Sequence, residues 1–274
     1  MPKRVDLFDS TYSHFTENVL DVVRKETFGE DIGQNSWLTV DEYDRFLSWL
    51  GLTSQHHVLE VASGSGGPAL HLANTVGCRV TGIDANEKGV TTASQMAATA
   101  DQADRLRFVV ADANARLPFD DNTFDAVLCL DSMNHFQDRL AVFREWHRVL
   151  RAGHRAIFTD PVVITGPVTN DELAMRSAIG LFLFVPPDIN ERLIEEAGLQ
   201  LVRQEDVTAN AALVAGRWHA SRERHKDGLL KIEGEERFDG LQRFFASVQQ
   251  LTSERRLSRI AYVAEKRAVG ETQA

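Results

Sequence analysis

The chain has 274 residues, of which 43% are hydrophobic and 26% are charged, so it can build one sizeable α/β core with a small appended cap. Its formal net charge of −10 argues against a nucleic-acid partner, because phosphate binding needs clustered lysine and arginine side chains. The sequence shows neither an apolar signal segment at its start nor an apolar run near the roughly 20 residues that a membrane helix needs. We therefore expect a cytoplasmic protein without a membrane partner.

The two cysteines, Cys78 and Cys129, fall at a helix-to-strand junction and in a buried strand of the predicted fold. Neither belongs to a C-x-x-C pair, and neither has the histidine spacing typical of a zinc site. The sequence therefore predicts reduced structural thiols and no metal site.

Strand signals alternate with helix signals between residues 57 and 160. Apolar runs predict buried strands at 57–62, 79–84, 106–110, 124–130 and 155–160. Helical patterns occupy 68–76, 85–100 and 139–150. This alternation predicts an α/β fold: a doubly wound, Rossmann-like and mostly parallel sheet with helices on both faces.

The segments outside this block are mainly helical. Residues 1–50 are expected to form a helical N-terminal cap with a less regular stretch at 29–37. Further predicted elements are a helix ending near Gly198, a strand at 199–205, a helical segment at 210–251 and a last strand at 259–264. We divide the chain into the cap, a Rossmann-like core at 51–207 and 257–268, and a helical lid insertion at 208–256. The cap and the insertion should exclude water from a small-ligand site.

The first candidate binding turn follows the strand at 57–62. In an open α/β sheet, ligands bind beyond the carboxyl ends of the strands near the point where the strand order reverses. Here Glu60 can accept hydrogen bonds from an ammonium group or a water, and Gly64 and Gly66 let the backbone approach a ligand. The pattern Gly64-x-Gly66-x-x-Ala69 also fits the dinucleotide fingerprint, so an NAD(P)-type oxidoreductase is one possible function of such a turn.

The next strands end in further candidate turns. Asp84 ends the second strand, where an acid can take both hydroxyls of a ribose. After the third strand, the carboxylate of Asp112 and a backbone amide could read the amino group and a ring nitrogen of adenine. The sequence LPFDDNTFD, at 117–125, leads into the fourth strand.

The order of these four elements resembles the class I S-adenosylmethionine-dependent methyltransferases over residues 57–160. The resemblance implies S-adenosyl-L-methionine as cofactor and S-adenosyl-L-homocysteine as product. It implies cofactor contacts for residues that follow the strands: Glu60, Gly64 and Gly66 around the methionine moiety, Asp84 on the ribose, Asp112 and Ala113 at the adenine, Leu130 through its backbone, and Ala62 and Ala85 beside them. The family often has glycine at position 62, and an alanine there is tolerable if it keeps a negative φ.

The segment 28–37 resembles the cap of the phosphoethanolamine and sarcosine/dimethylglycine methyltransferases. In those relatives this segment and an upstream tyrosine fold over cofactor and acceptor. The resemblance implies cofactor contacts for Gln34 and Trp37 and a catalytic position for Tyr12. Because a buried site must open to exchange its contents, we expect residues 34–37 to be mobile without ligand.

The residues after the fourth strand lie where the acceptor should meet the methyl group. His135 could be a general base for a hydroxyl or ammonium acceptor, or it could only cap a helix. Asp131 and Asn134 could orient the acceptor or cap the same helix.

Together these features predict an S-adenosylmethionine-dependent methyltransferase that transfers a methyl group to nitrogen or oxygen of a small-molecule acceptor. Such a transfer needs neither a triad nor a metal, since the cofactor supplies the leaving group and the protein positions the reactants. The alternatives are the NAD(P)-type oxidoreductase and a non-catalytic homologue that kept the cofactor site.

Overall fold

The computed structural model describes residues 18–268. Its strands are β1 His57–Val61, β2 Arg79–Asp84, β3 Leu106–Val110, β4 Phe124–Cys129, β5 Leu150–Ile164, β6 Gln200–Asp206 and β7 Leu257–Glu265. Its α-helices are α1 Asn18–Phe28, α2 Val40–Ser48, α3 Gly67–Val76, α4 Glu87–Thr99, α5 Arg139–Val149, α6 Asn170–Arg176, α7 Ile189–Glu196, α8 Thr208–Arg224 and α9 Lys226–Ser253. A 3₁₀ turn at Met133–His135 follows β4.

The strands form one seven-stranded sheet in the order β3-β2-β1-β4-β5-β7-β6. Strands β1 to β5 pair in parallel, and β7 is antiparallel to both β5 and β6. The chain moves outward from β1 to β3 and then returns to β4, so the strand order reverses between β1 and β4. This confirms the predicted fold class and places the ligand-binding crevice of such a sheet at the carboxyl ends of β1 and β4.

The sheet is covered on both faces by apolar clusters. Within β1, Leu59 and Val61 belong to the cluster that includes α5 and α7, and Val58 belongs to the cluster that includes α2, α3 and α4. Side chains of a strand alternate between faces, so a fully buried strand needs apolar residues at successive positions. This explains why β1 and β4 are apolar runs.

A third apolar cluster is built by the helices outside the sheet. It joins α1, α8 and α9 to Trp37 and reaches Val162 near the end of β5. Helix α2 packs on the sheet instead. The cap and the insertion therefore share one core above the carboxyl ends of the strands.

Three elements differ from the sequence expectation. Strand β5 is longer than the predicted 155–160 because it pairs with β4 from Leu150 and with β7 as far as Ile164. The helical segment expected at 210–251 is divided between α8 and α9, and α9 is kinked at Gly234, whose φ is 73°. Helix α6 was not predicted, although Thr169 and Glu172 form a capping box at its start.

Candidate active site

A cavity of about 570 Å³ lies at the carboxyl ends of the strands where the strand order reverses. One half is lined by the turns that follow β1, β2 and β3, and the other half is lined by the segment after β4 and by α6. Aromatic side chains of the third cluster line it as well: Trp37, Phe182, Trp218, Phe244 and Phe245. Its size is in the range of small-molecule sites.

Glu60 lies at the end of β1 and lines the cavity. It is 5% exposed, and its Oε2 has no hydrogen-bond partner among the described residues. Burial raises the pKa of Glu60 to about 8, and the nearby charge of Asp84 acts in the same direction. A buried carboxyl without a partner is costly, so this position is suited to a ligand that brings a positive charge or a hydrogen-bond donor.

Asp84 joins the turns after β1 and β2. Its Oδ2 accepts a hydrogen bond from the Gly64 N–H at 2.8 Å, and its Oδ1 accepts one from the Asn86 N–H at 2.8 Å. Burial raises the pKa of Asp84, while the backbone N–H groups of Asn86, Gly64 and Ala85 oppose this effect. Asp84 and Ala85 both line the cavity, and each carboxylate oxygen can accept a further bond.

The two remaining positions of the first turn differ from expectation. Ala62 lines the cavity but has a φ of 57°, so the condition of a negative φ is not met. A left-handed conformation costs an alanine about 1–2 kcal/mol, and glycine would adopt it freely. Gly66 is not among the lining residues: a Cβ added to it would lie 2.7 Å from Cβ of Ala93 and 2.8 Å from Cζ of Phe108. Gly66 therefore permits close packing behind the turn.

The third turn and the end of β4 lie where the sequence expected the adenine site. Asp112, Ala113 and Leu130 line the cavity. The Oδ1 of Asp112 accepts hydrogen bonds from the backbone and side-chain N–H groups of Asn114, each at 2.9 Å. Asn114 in turn accepts a bond from the Gln137 N–H at 2.9 Å, which ties this turn to the segment after β4.

The cap segment contacts the cavity through Trp37. The side chain of Gln34 does not line the cavity, because its amide bonds the backbone of its own loop at Glu30, Ile32 and Leu38. A direct cofactor contact by Gln34 is therefore not supported, and its contacts indicate that it shapes the loop. Tyr12 lies outside the described residues.

Trp37 is tied to the sheet through a buried polar network that the sequence did not reveal. Its N–H donates to Asp131 Oδ2 at 2.9 Å, and its carbonyl accepts from Asn210 Nδ2 at 2.9 Å. Arg259, which is fully buried in β7, donates to Asp131 Oδ1 at 2.6 Å and to Glu42 Oε2 at 2.5 Å.

These bonds fasten both backbone groups of Trp37, the N–H to Asp131 after β4 and the carbonyl to Asn210 of α8. They hold Trp37 in place in this structure, and the mobility expected for residues 34–37 without ligand stays a prediction. They also occupy Asp131, which was considered as an orienter of the acceptor or a helix cap. The charged Arg259 beside the apolar residues 260–264 of β7 was a signal for this network, but the sequence could not name its partners.

His135 lies on the second half of the cavity, in the 3₁₀ turn after β4. Its Nδ1 donates a hydrogen bond to the Leu181 carbonyl oxygen at 3.2 Å, so in the neutral ring Nε2 carries the lone pair. Burial lowers the pKa of His135 to about 4, the bond to Leu181 raises it, and the charge of Arg176 lowers it further. The imidazole is therefore neutral above about pH 5.

Two further buried polar residues, Asn134 and Arg176, line the cavity with His135, and only Asn134 was singled out in the sequence. Asn134 is 1% exposed, and neither its Oδ1 nor its Nδ2 has a hydrogen-bond partner among the described residues. Arg176, the last residue of α6, is also 1% exposed and lines the same half of the cavity. Asn134 was considered as a helix cap or an acceptor contact, and its unpaired amide favours the contact.

The described residues contain no cluster of three or more histidine, cysteine, aspartate or glutamate side chains arranged to hold a metal ion. Within 18–268, no helix combines the length and apolar character that crossing a membrane requires.

Comparison with known proteins identifies the family. The methyltransferase domain model matches residues 59–158. The 27-O-demethylrifamycin SV methyltransferase of Amycolatopsis mediterranei is 33% identical over 195 residues, which are 67% of this chain and 71% of that protein. The chain belongs to the S-adenosylmethionine-dependent methyltransferases. This decides against the NAD(P)-type alternative.

Two further proteins similar to this methyltransferase are of the two kinds named in the sequence analysis. The sarcosine/dimethylglycine N-methyltransferase of Halorhodospira halochloris is 33% identical over 180 residues, 65% of this chain and 63% of that protein. The solved phosphoethanolamine N-methyltransferase 2 of Haemonchus contortus, in complex with S-adenosyl-L-methionine, has a TM-score of 0.79 at 20% identity and is matched over 98% of this chain and 62% of its own. The resemblance to these two kinds of enzyme is confirmed.

Proposed function

We propose that this methyltransferase transfers a methyl group to nitrogen or oxygen of a small-molecule acceptor. The observation that carries the proposal is the cavity itself, in which the strand-end acids line one half and His135 with several aromatic rings lines the other. A cavity of about 570 Å³ is of the size that a small cofactor and a small acceptor occupy. The net charge of −10 also favours an acceptor other than nucleic acid.

The residues of the first half fit S-adenosyl-L-methionine. The unpartnered Oε2 of Glu60 is placed to accept a hydrogen bond from the ammonium group of the methionine moiety. Asp84 is proposed to accept from the ribose hydroxyls, with Asp112 and Ala113 at the adenine. When bound, the cofactor supplies an electrophilic methyl group and its own leaving group.

The residues of the second half would position the acceptor. The neutral ring of His135 can accept a hydrogen bond from an acceptor hydroxyl or amine through Nε2. With a pKa of about 4, the imidazole is a weak proton acceptor, so we propose that it orients the nucleophile rather than removing its proton completely. The aromatic rings over the cavity would exclude water from the reacting atoms.

Relatives of both proposed reaction types occur among the matches. One is named as an N-methyltransferase of sarcosine and dimethylglycine, and another is the O-methyltransferase resE of Aspergillus sclerotiorum, at 30% identity over 164 residues. Either nucleophile is compatible with the cavity, because methyl transfer from a sulfonium requires an accessible lone pair and an in-line approach.

The test is a screen with S-adenosyl-L-methionine labelled in its methyl group and pooled small amines, alcohols and phenols. Mass spectrometry reads the label in the product, and fragmentation assigns it to nitrogen or oxygen. Asp84→Ala is the matched control, because it should weaken cofactor binding without changing the acceptor half of the cavity. Label on a small molecule with the wild type, and less label with Asp84→Ala at the same low cofactor concentration, supports the proposal. Tight S-adenosyl-L-homocysteine binding with no product from any pool would favour the non-catalytic alternative.

A further inference from the structure

We propose that Arg176 forms a subsite for an anionic group, a carboxylate or a phosphate, on the methyl acceptor. This inference rests on the proposed function, since it describes the acceptor half of the same cavity. Arg176 is 1% exposed and lines the cavity, and neither its Nε nor its Nη1 has a hydrogen-bond partner among the described residues. A buried guanidinium with unsatisfied donors is costly unless a ligand completes it.

Two carboxylates, Asp131 and Asp160, act on Arg176 through their charge, but both are hydrogen-bonded to other residues. Asp131 binds Arg259 and the Trp37 N–H. Asp160 forms an ion pair with Arg139 and accepts a hydrogen bond from Asn190 at 2.9 Å. Burial lowers the pKa of Arg176 to about 9, although the charges of Asp131 and Asp160 act in the opposite direction. The guanidinium therefore remains a cation without an ion-pair partner of its own among the described residues.

Three aromatic rings surround this cation. The guanidinium carbon lies 5.6 Å from the ring centre of Trp37, 4.9 Å from that of Phe182 and 5.3 Å from that of Phe244. Ring faces attract the charge, but they do not replace oxygen acceptors for the N–H donors, which lie in the guanidinium plane. Those donors form a rigid fork that matches the two oxygens of a carboxylate or phosphate.

Phe182 connects this subsite to the proposed reacting centre. The centre of its ring lies 4.9 Å from the guanidinium carbon of Arg176. It also lies 4.9 Å from the ring centre of His135, in an edge-to-face arrangement. An acceptor whose anionic group binds Arg176 would therefore extend along Phe182 toward His135. This assigns the acceptor two ends, an anionic one for binding and a nucleophilic one for methyl transfer.

The test measures anion binding to the S-adenosyl-L-homocysteine complex by calorimetry, with sodium phosphate and sodium acetate as separate probes. We expect at least one probe to bind the wild type and to bind Arg176→Met at least tenfold more weakly. Arg176→Lys, which keeps the charge but not the fork, should retain part of the affinity. Arg217→Met, which removes an exposed arginine of α8, is the matched control and should behave as wild type. Tighter binding of phosphate would indicate a phosphorylated acceptor, and tighter binding of acetate a carboxylic acid.

Two results would overturn the subsite. One is that neither probe binds the complex, or that both bind Arg176→Met as well as wild type. The other is that Arg176→Met binds S-adenosyl-L-homocysteine tenfold or more weakly than wild type. Arg176 would then bind the carboxylate of the cofactor and not the acceptor. Failure of the wild type to bind S-adenosyl-L-homocysteine would instead contradict the proposed function. Unfolding curves check that each variant is folded, and Arg176→Met loses no ion pair.

Discussion

Replacement of Glu60 by glutamine should stabilise the ligand-free protein, and increasingly so as the pH rises. Burial raises the pKa of Glu60 to about 8 from an ordinary value of 4.5. Between these values the unfolded chain has lost the proton and the folded one retains it, so the folded state loses stability as the pH increases. Each pH unit corresponds to about 1.36 kcal/mol, which gives on the order of 3 kcal/mol at pH 7 and 5 kcal/mol above pH 8.

Urea unfolding of the wild type and Glu60→Gln at several pH values measures this difference. The two proteins should be similarly stable near the ordinary pKa of 4.5, should diverge up to about pH 8, and should keep a constant difference above it. Glu235→Gln, which changes an exposed glutamate of α9, is the control and should show no such divergence. A stability difference that does not change with pH would refute the reasoning.

The same carboxyl links cofactor binding to proton release. If the cofactor ammonium group pairs with Glu60, binding should lower its pKa and release a proton near pH 7. Calorimetry of S-adenosyl-L-homocysteine binding in buffers of different ionisation enthalpy measures that proton. Glu60→Gln should release fewer protons and bind S-adenosyl-L-homocysteine more weakly. Equal proton release by both proteins would show that Glu60 does not bind the ammonium group.

Three further substitutions test separate parts of the site. Asp84→Ala should weaken S-adenosyl-L-homocysteine binding by on the order of 1.5–3 kcal/mol in calorimetry, and an unchanged affinity in a folded variant would remove Asp84 from the ribose site. His135→Ala should leave that affinity nearly unchanged and raise KM for the acceptor, whereas a loss of roughly 10²–10⁴-fold in kcat would show that it is a general base. Ala62→Gly should raise the free energy of unfolding by about 0.5–1 kcal/mol, because glycine adopts the φ of 57° without strain; a destabilised variant would contradict this.

The parallel part of the fold and its first turns could be predicted because their signals are local. Strands β1, β2 and β3 are short segments rich in apolar residues, and each has its own acid at or just after its carboxyl end. Once these runs are assigned to a parallel sheet, their carboxyl ends must lie at one edge. Glu60, Asp84 and Asp112 therefore meet at one cavity, as the sequence indicated.

The cap could not be predicted in the same way because it depends on pairs distant in sequence. Arg259 bonds Glu42 across 217 positions and Asp131 across 128, and no local pattern identifies such partners. Gln34 has the residue type of a ligand contact, but its loop folds so that the amide satisfies backbone groups. Local backbone bonds therefore keep Gln34 out of the cavity, and long-range bonds to Arg259 engage Glu42 and Asp131.

The burial of Arg176 could not be predicted from the local sequence either. Its helix is short, and from the sequence an arginine near a helix C-terminus is ordinarily a solvated charge that favours the helix dipole. Its burial arises from Trp37, Phe182 and Phe244, which come from three separate segments. Likewise, the positive φ of Ala62 is imposed by the turn between β1 and α3 and not by the residue itself.

The most direct test of the account is a crystal structure of the complex with S-adenosyl-L-homocysteine. We predict that the amino group lies within hydrogen-bond distance of Glu60 and that the ribose hydroxyls contact Asp84. The adenine should lie beside Asp112 and Ala113. The sulfur should face the half of the cavity that holds His135 and Arg176. A ligand bound outside this cavity, or one whose sulfur faces away from His135, would contradict it.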